Sequence, residues 1–290
     1  MDQAKQQVID AIKSHSNVLV TVSTNPSVDE LSAALGLTIM LNNLDKRSTS
    51  VFSGSIPPAI NFLEPDKTFV NSADSLRDFI IALDKEKADH LRYKVEGESV
   101  KIFITPYKTQ LGQSDLVFSQ GEYNVELIIA LGVTDQGHLD KALEAHGQIL
   151  HNATVLTVTT GQNKSNLGSI DWHDEKTSSL SEMVASLADA LKGEKPLLDQ
   201  QISTALLTGI VSATNRFSND HTTTSVMTVA AQLMAAGANQ QLVAAKLEET
   251  HDIAPGGQSN NAETQTSKPN QELTIERTDN QQPANTKPVA

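Results

Sequence analysis

The sequence predicts an α/β fold built on a central, mostly parallel sheet of about five strands flanked by helices, and three observations carry that expectation. Val18 to Val22 is an unbroken run of Val, Leu and Thr, suited to a strand buried on both faces as parallel strands are. The run passes through Asn25-Pro26 into Ser27-Val28-Asp29-Glu30, where a hydroxyl and a carboxylate three residues apart have the spacing of a capping box. Helical and strand periodicities then alternate along much of the chain, which is βαβ rhythm. In open α/β sheets, ligands bind where strands hand over to helices.

Taken in order, the pattern predicts a helix over 2–14, a strand over 17–23, a helix over 29–43, a strand over 48–53 and a helix near 75–83. The second of these helices should be amphipathic, with Leu31, Ala34, Leu35, Thr38, Ile39 and Leu41 on one stripe. Residues 90–106 break the rhythm. Leu91, Tyr93 and Val95 alternate with polar residues, as do Val100, Ile102 and Ile104, about the turn Glu96-Gly97-Glu98; this is an inserted β-hairpin. Rhythm resumes with strands over 125–131 and 153–159, a helix over 138–148 between them, and helices over 179–191, 198–213, 222–236 and 239–250. From about Asp252 the chain is Asn, Gln, Thr and Pro with few apolar residues, so 252–290 is expected to be a disordered polar tail beyond a 1–251 α/β domain.

With 290 residues and 38% hydrophobic content, the chain can bury a sizeable core. It has no cysteine, which excludes disulfides and thiolate metal sites. No run approaches the ~18 apolar residues of a membrane span, and the first residues have no apolar signal-like core; a cytoplasmic location is the expectation. The net charge of -13 argues against strong, sequence-independent nucleic-acid binding, which needs clustered cations.

Two longer segments carry a resemblance. Ser178 to Leu191 reads SSLSEMVASLADAL, and Thr204 to Asn239 reads TALLTGIVSATNRFSNDHTTTSVMTVAAQLMAAGAN. With the order of elements over roughly residues 5–250, these resemble the DHH phosphoesterase superfamily: oligoribonucleases, cyclic-di-AMP phosphodiesterases, exopolyphosphatases and single-strand exonucleases. The resemblance implies a DHH-type domain and, in family members, two divalent cations, usually manganese, held by four motifs rich in Asp and His, where the metals activate a water toward phosphate esters.

Motif by motif, this chain departs from that pattern. The family's HxxPDxD falls on residues 23–29, with Ser23 in place of the His, Ser27 in place of the first Asp, and only Asp29 kept. The Asp that closes a strand in the second motif is Gly132. The family's DHHxxN falls on Val158, Thr159, Thr160 and, at its end, a retained Asn163, and the Asp of the fourth motif is Ala213. A lone Asp29 cannot hold two cations. The expectation is no metal cofactor, no catalytic residue, and Ser23, Ser27, Asp29, Gly132, Val158, Thr159, Thr160, Asn163 and Ala213 as vestigial positions, with Ser27 capping a helix whose first turn holds Asp29. Family enzymes continue into a second domain, DHHA1, with a Gly-rich GGGH-like motif; Gly256-Gly257 has no following His, and that domain is expected to be absent.

Other candidates have two readings each. Asp171-Trp172-His173-Asp174 fits a packed Trp in a surface loop, or a relocated metal site at Asp171, His173 and Asp174. Asp135 fits a helix N-cap or a substitute for the lost strand-end Asp. Thr159, Thr160, Gly161 and Asn163 fit a solvated loop or a metal-free phosphate or nucleotide site made of hydroxyls and backbone N–H groups. His221 is read as uninvolved. Three functions follow: a catalytically inactive DHH-like pseudoenzyme acting as a binding or scaffolding subunit, a phosphodiesterase on short oligonucleotides or cyclic dinucleotides with a rearranged site, and a metal-free nucleotide sensor. For the first, the apolar residues of 228–247 (Val229, Ala230, Leu233, Met234, Leu242, Val243 and Leu247) are expected to form a surface for a homo-oligomer or another protein.

Overall fold

A computed structural model describes residues 3–88, 90–193 and 196–251; the polar segment 252–290, with its expected disorder and its Gly256-Gly257 pair, lies outside the described residues. In chain order the elements are α1 (Gln3–Ser14), β1 (Asn17–Val22), α2 (Val28–Asn42), β2 (Arg47–Val51), β3 (Phe69–Val70), β4 (Arg77–Leu83), β5 (His90–Glu96), β6 (Ser99–Thr105), β7 (Leu116–Tyr123) and β8 (Leu127–Leu131). There follow α3 (Lys141–Glu144), α4 (Gly147–Asn152), β9 (Thr154–Thr160), β10 (Ile170–Asp174), α5 (Leu180–Leu191), α6 (Gln200–Ala213), α7 (Thr224–Ala235) and α8 (Gln240–His251).

The central sheet has six strands in the order β10-β9-β8-β1-β2-β3, and every pairing in it is parallel. The sequence predicted about five. The residues at 171–174, one reading of which was a loop, are the edge strand β10, and a two-residue β3 closes the other edge. Both are short edge strands whose partners, rather than their own periodicity, define them.

The three middle strands are buried on both faces, as their apolar runs require. Val18, Val20, Val22, Leu127, Ile129 and Leu131 pack beneath α1, α2, α5 and α6. Leu19, Ile128 and Ala130 point the other way, against Leu143 of α3 and Ile149 of α4. This alternation with period two places one core on each face of the sheet. α2 is not amphipathic: Leu31, Ala33, Ala34, Leu35, Leu37, Met40 and Leu41 are all buried, because the helix lies between the sheet and α6. A helix apolar on most sides is a core helix, which a single stripe does not reveal.

Three further differences have local causes. Residues 77–83 form strand β4 rather than a helix, since Arg77–Leu83 pairs antiparallel with β7, and the β-branched and aromatic residues of RDFIIAL suit a pleated surface. The helix expected over 138–148 is a 3-10 turn at Gln136–His138 followed by α3 and α4. Buried Asp140 breaks it, capping α3 through Ala142 N at 3.0 Å. In the region 228–247, Ala230, Leu233, Val243 and Leu247 are core residues, so the apolar surface expected there shrinks to Met234, Leu242 and half-buried Val229. The hairpin at 90–106 is present as β5–β6, and it extends beyond a second antiparallel pair, β4–β7, that the sequence reading missed.

Candidate functional site at the strand ends

β1, β8 and β9 end together, with Val22 beside Leu131 and Leu131 beside Val158. The residues that follow, Ser23, Gly132 and Thr159, therefore reach one end of the sheet from distant parts of the chain. Val158 itself is core. A side chain absent from the sequence-derived list occupies the centre of this cluster. Glu30 accepts Ser23 Oγ at 2.6 Å and Ser23 N at 3.3 Å on one oxygen, and Ser27 N at 3.3 Å on the other. Glu30 N in turn donates to Ser27 Oγ at 3.1 Å, so the predicted capping box is complete. Burial holds the Glu30 carboxyl above the usual range, against the Ser23 and Ser27 hydrogen bonds that favour its ionised form.

Gly132 makes room for this carboxylate. A Cβ there would stand 2.5 Å from Glu30 Cδ and 2.6 Å from Glu30 Oε2, and the residue has φ +71, a left-handed conformation natural to glycine. The space that an aspartate at this position would need is filled by Glu30.

Asp29 faces elsewhere. Its Oδ2 accepts Leu180 N at 2.7 Å and its Oδ1 accepts Ser181 N at 3.1 Å, while Ser179 Oγ accepts Glu182 N at 3.0 Å. The first three amides of α5 are thus satisfied by two side chains, one of them 151 residues away in sequence. Burial raises the Asp29 pKa, opposed by these hydrogen bonds. Glu182 continues the network, accepting Ser178 Oγ at 2.7 Å and Ser225 Oγ at 2.8 Å. Asp29 was expected only to favour the α2 dipole; its principal contacts are with α5, which no local spacing encodes.

Thr159 Oγ1 lies 2.9 Å from His173 Nδ1 and Thr157 Oγ1 donates to Asp171 at 2.9 Å. β10 places Asp171 and His173 on one face and the buried Trp172 and Asp174 on the other, so the three candidate ligands diverge. Thr160 ends β9, and Asn163 is exposed in the loop beyond Gly161. Asp135 caps the 3-10 turn through Gly137 N at 2.9 Å, and His221 is exposed.

Ala213 ends α6, and Val28 and Ser212 line a shared 300 Å³ pocket, which brings this end of α6 to the start of α2. There the chain makes a left-handed turn at Asn215, Arg216 and Phe217, with φ 45, 59 and 61. Without glycine this turn had no sequence signal.

A cleft of 440 Å³ opens beside the cluster, lined by Thr24, Asn25, Ser53, Ser55, Asp140 and Lys141 among others. Asp140 fixes its floor, accepting Ser53 N at 3.1 Å and Ser53 Oγ at 3.1 Å. Its lining offers hydroxyls, amides and the Lys141 ammonium, groups suited to a small polar or anionic ligand. The sequence reading missed both Asp140 and Lys141.

The donor set does not fit a pair of manganese ions. The carboxylate beside Gly132 is Glu30, already engaged by Ser23 and Ser27, and among the described residues no group of three or more His, Asp or Glu converges as a metal site.

The architecture, an α/β domain on a six-stranded parallel sheet whose strand ends gather this cluster, is one that solved structures share. Among solved structures, an exopolyphosphatase-related protein from Bacteroides fragilis matches with a TM-score of 0.62 at 13% identity, over 85% of this chain and 60% of that one. A Methanococcus jannaschii protein assigned as a family II inorganic pyrophosphatase matches with a TM-score of 0.48 at 14% identity, over 80% of this chain and 60% of the other. The chain thus spans about 60% of the length of these solved structures. The likeness is one of fold. No protein-family model and no curated protein matches the sequence, and no helix among the described residues is long and apolar enough to cross a membrane.

Proposed function

We propose that this chain uses a DHH-like fold without hydrolysis, as a catalytically inactive binding or scaffolding subunit. The observation that supports it is the Glu30 carboxylate, which takes up the space beside Gly132 and accepts hydrogen bonds from Ser23 and Ser27 on both of its oxygens. With hydroxyls at Ser23 and Ser27, a glycine at 132 and Glu30 already engaged by the two serines, the strand ends supply too few free anionic ligands to offset the cost of stripping water from a pair of divalent ions. The function of the similarly folded Bacteroides protein, related by its description to exopolyphosphatases, would in this reading have been lost with the ligands.

A second reading has its own observation. The cleft lined by Thr24, Ser53 and Lys141 suits a metal-free nucleotide or phosphate sensor. Two measurements separate the readings. Manganese titration by calorimetry should show binding no tighter than about millimolar, with no hydrolysis of dinucleotides, cyclic-di-AMP or polyphosphate. Metal-dependent turnover that disappears in Glu30→Gln or Asp29→Ala would refute inactivity and establish a phosphodiesterase with a rearranged site. Nucleotide binding without metal that is weakened by Lys141→Ala would favour the sensor over the scaffold.

A further inference from the structure

Eleven of the fourteen exposed large apolar side chains among the described residues lie on the antiparallel arm between β4 and β7. On the outer hairpin, the register sets Leu91 opposite Ile104, Tyr93 opposite Ile102 and Val95 opposite Val100. All six share one face, because every second residue of a strand points the same way. Tyr93 is 76% exposed, and Val95 and Val100 are 63% and 64% exposed.

The opposite face of the hairpin is charged but internally matched. Lys94 and Lys101 face each other across the ladder, and both reach Glu96, at 2.7 and 2.6 Å. Arg92 lies over the Phe103 ring at 4.6 Å from its centroid. The apolar face therefore carries no charge of its own. A two-stranded ribbon with one open apolar face is marginal in water, and a second layer about 10 Å away is what completes such a sheet.

We propose that this face is a self-association surface: β5–β6 of one chain packs face to face on β5–β6 of a second copy. Charge singles out that occupant. Seven Lys and Arg stand against eight Asp and Glu between residues 77 and 123, in a chain of net charge -13. Almost all of the repulsion between two copies thus originates outside the arm, and the arm is the route by which two acidic chains can meet. The same net charge opposes nucleic acid or an anionic membrane as the occupant. An uncharged apolar face is also self-complementary, as a two-fold interface requires.

Size agrees with this. The hairpin face exposes roughly 600 Å² of side chain, most of the ~800 Å² each partner gives to a standard interface. A typical monomer's largest apolar patch is about 300–600 Å². The arm is separate from the strand-end cleft, so the proposal stands whatever the cleft binds.

Sedimentation velocity of the full chain tests it, on the wild type, on Tyr93→Glu/Ile102→Glu, and on Met234→Glu/Leu242→Glu. The expected result is a dimer for the wild type and the helix variant, and a monomer with unchanged far-UV circular dichroism for the arm variant. Added salt should tighten the wild-type dimer by screening the repulsion between acidic bodies. A milder pair, Val95→Thr/Val100→Thr, keeps strand propensity and should weaken the dimer by roughly tenfold. A monomeric wild type, an arm variant that stays dimeric, or an unchanged dissociation constant in the milder pair would overturn the proposal.

Discussion

Replacing Asp29 by alanine tests whether this buried carboxylate serves to hold two helices together. The substitution strips Leu180 N and Ser181 N of their acceptors in a place that water does not reach, since Asp29 is 8% exposed. Each buried amide left without its acceptor costs about 1–3 kcal/mol, and loss of a first-turn cap alone costs about 0.5–2 kcal/mol. Against this, burial raises the Asp29 pKa, so removing the carboxylate also removes a desolvation penalty. A net loss of about 2 kcal/mol results, equivalent to about 4–8 °C in melting temperature for a domain of this size.

The pH dependence distinguishes this account from simple loss of packing. Because burial holds the folded-state pKa of Asp29 above the ordinary value of 3.8, its contribution is fully present below that value and is lost as pH rises through the folded pKa. Asp29→Ala lacks this titration. The gap between wild type and variant should therefore be widest at the acidic end of the stable range and narrow toward neutral pH. Urea unfolding followed by the fluorescence of the single tryptophan, Trp172, which is buried, measures both curves. A gap under about 0.5 kcal/mol at every pH, or one that widens as pH rises, would refute the reasoning.

Gly132→Asp should not rebuild a metal site: its Cβ would meet Glu30 Cδ at 2.5 Å in a left-handed backbone, costing about 2–4 kcal/mol in thermal unfolding, with Glu30→Ala restoring part of that loss in the double variant. Gly209→Ala would drive a Cβ into Ser181 Oγ and to 2.6 Å from Asp29 Oδ1, and should cost about 1–3 kcal/mol by urea titration; an unchanged midpoint would show that α2, α5 and α6 can separate freely. Leu233→Glu places a carboxylate in the core at a residue with 0% exposure and should abolish the cooperative transition, whereas Leu242→Glu, at 36% exposure, should shift it by less than about 0.5 kcal/mol.

Much of this protein was legible in its sequence. The runs at 18–22, 127–131 and 154–160 are apolar without alternation, and only strands covered on both faces need that, so the parallel sheet and its two helical layers followed. Ser27 and Glu30 specified the start of α2 through bonds between residues three apart, and Gly97 specified a hairpin turn; such features are local, and local sequence contains them. That Ser27, Gly132 and Ala213 carry no carboxylate was equally plain, because it concerns residue types alone. Tertiary structure decided what those positions became. That Glu30 fills the space beside Gly132 depends on β1 and β8 lying side by side, 109 residues apart in register at Leu19 and Ile128. That Asp29 caps α5, that Leu233 is core, and that 77–83 is a strand each depend on a partner remote in the chain. A periodicity records which residues avoid water, but it does not record what they pack against, and here the approach of Glu30 to Gly132 and of Asp29 to α5 is long-range.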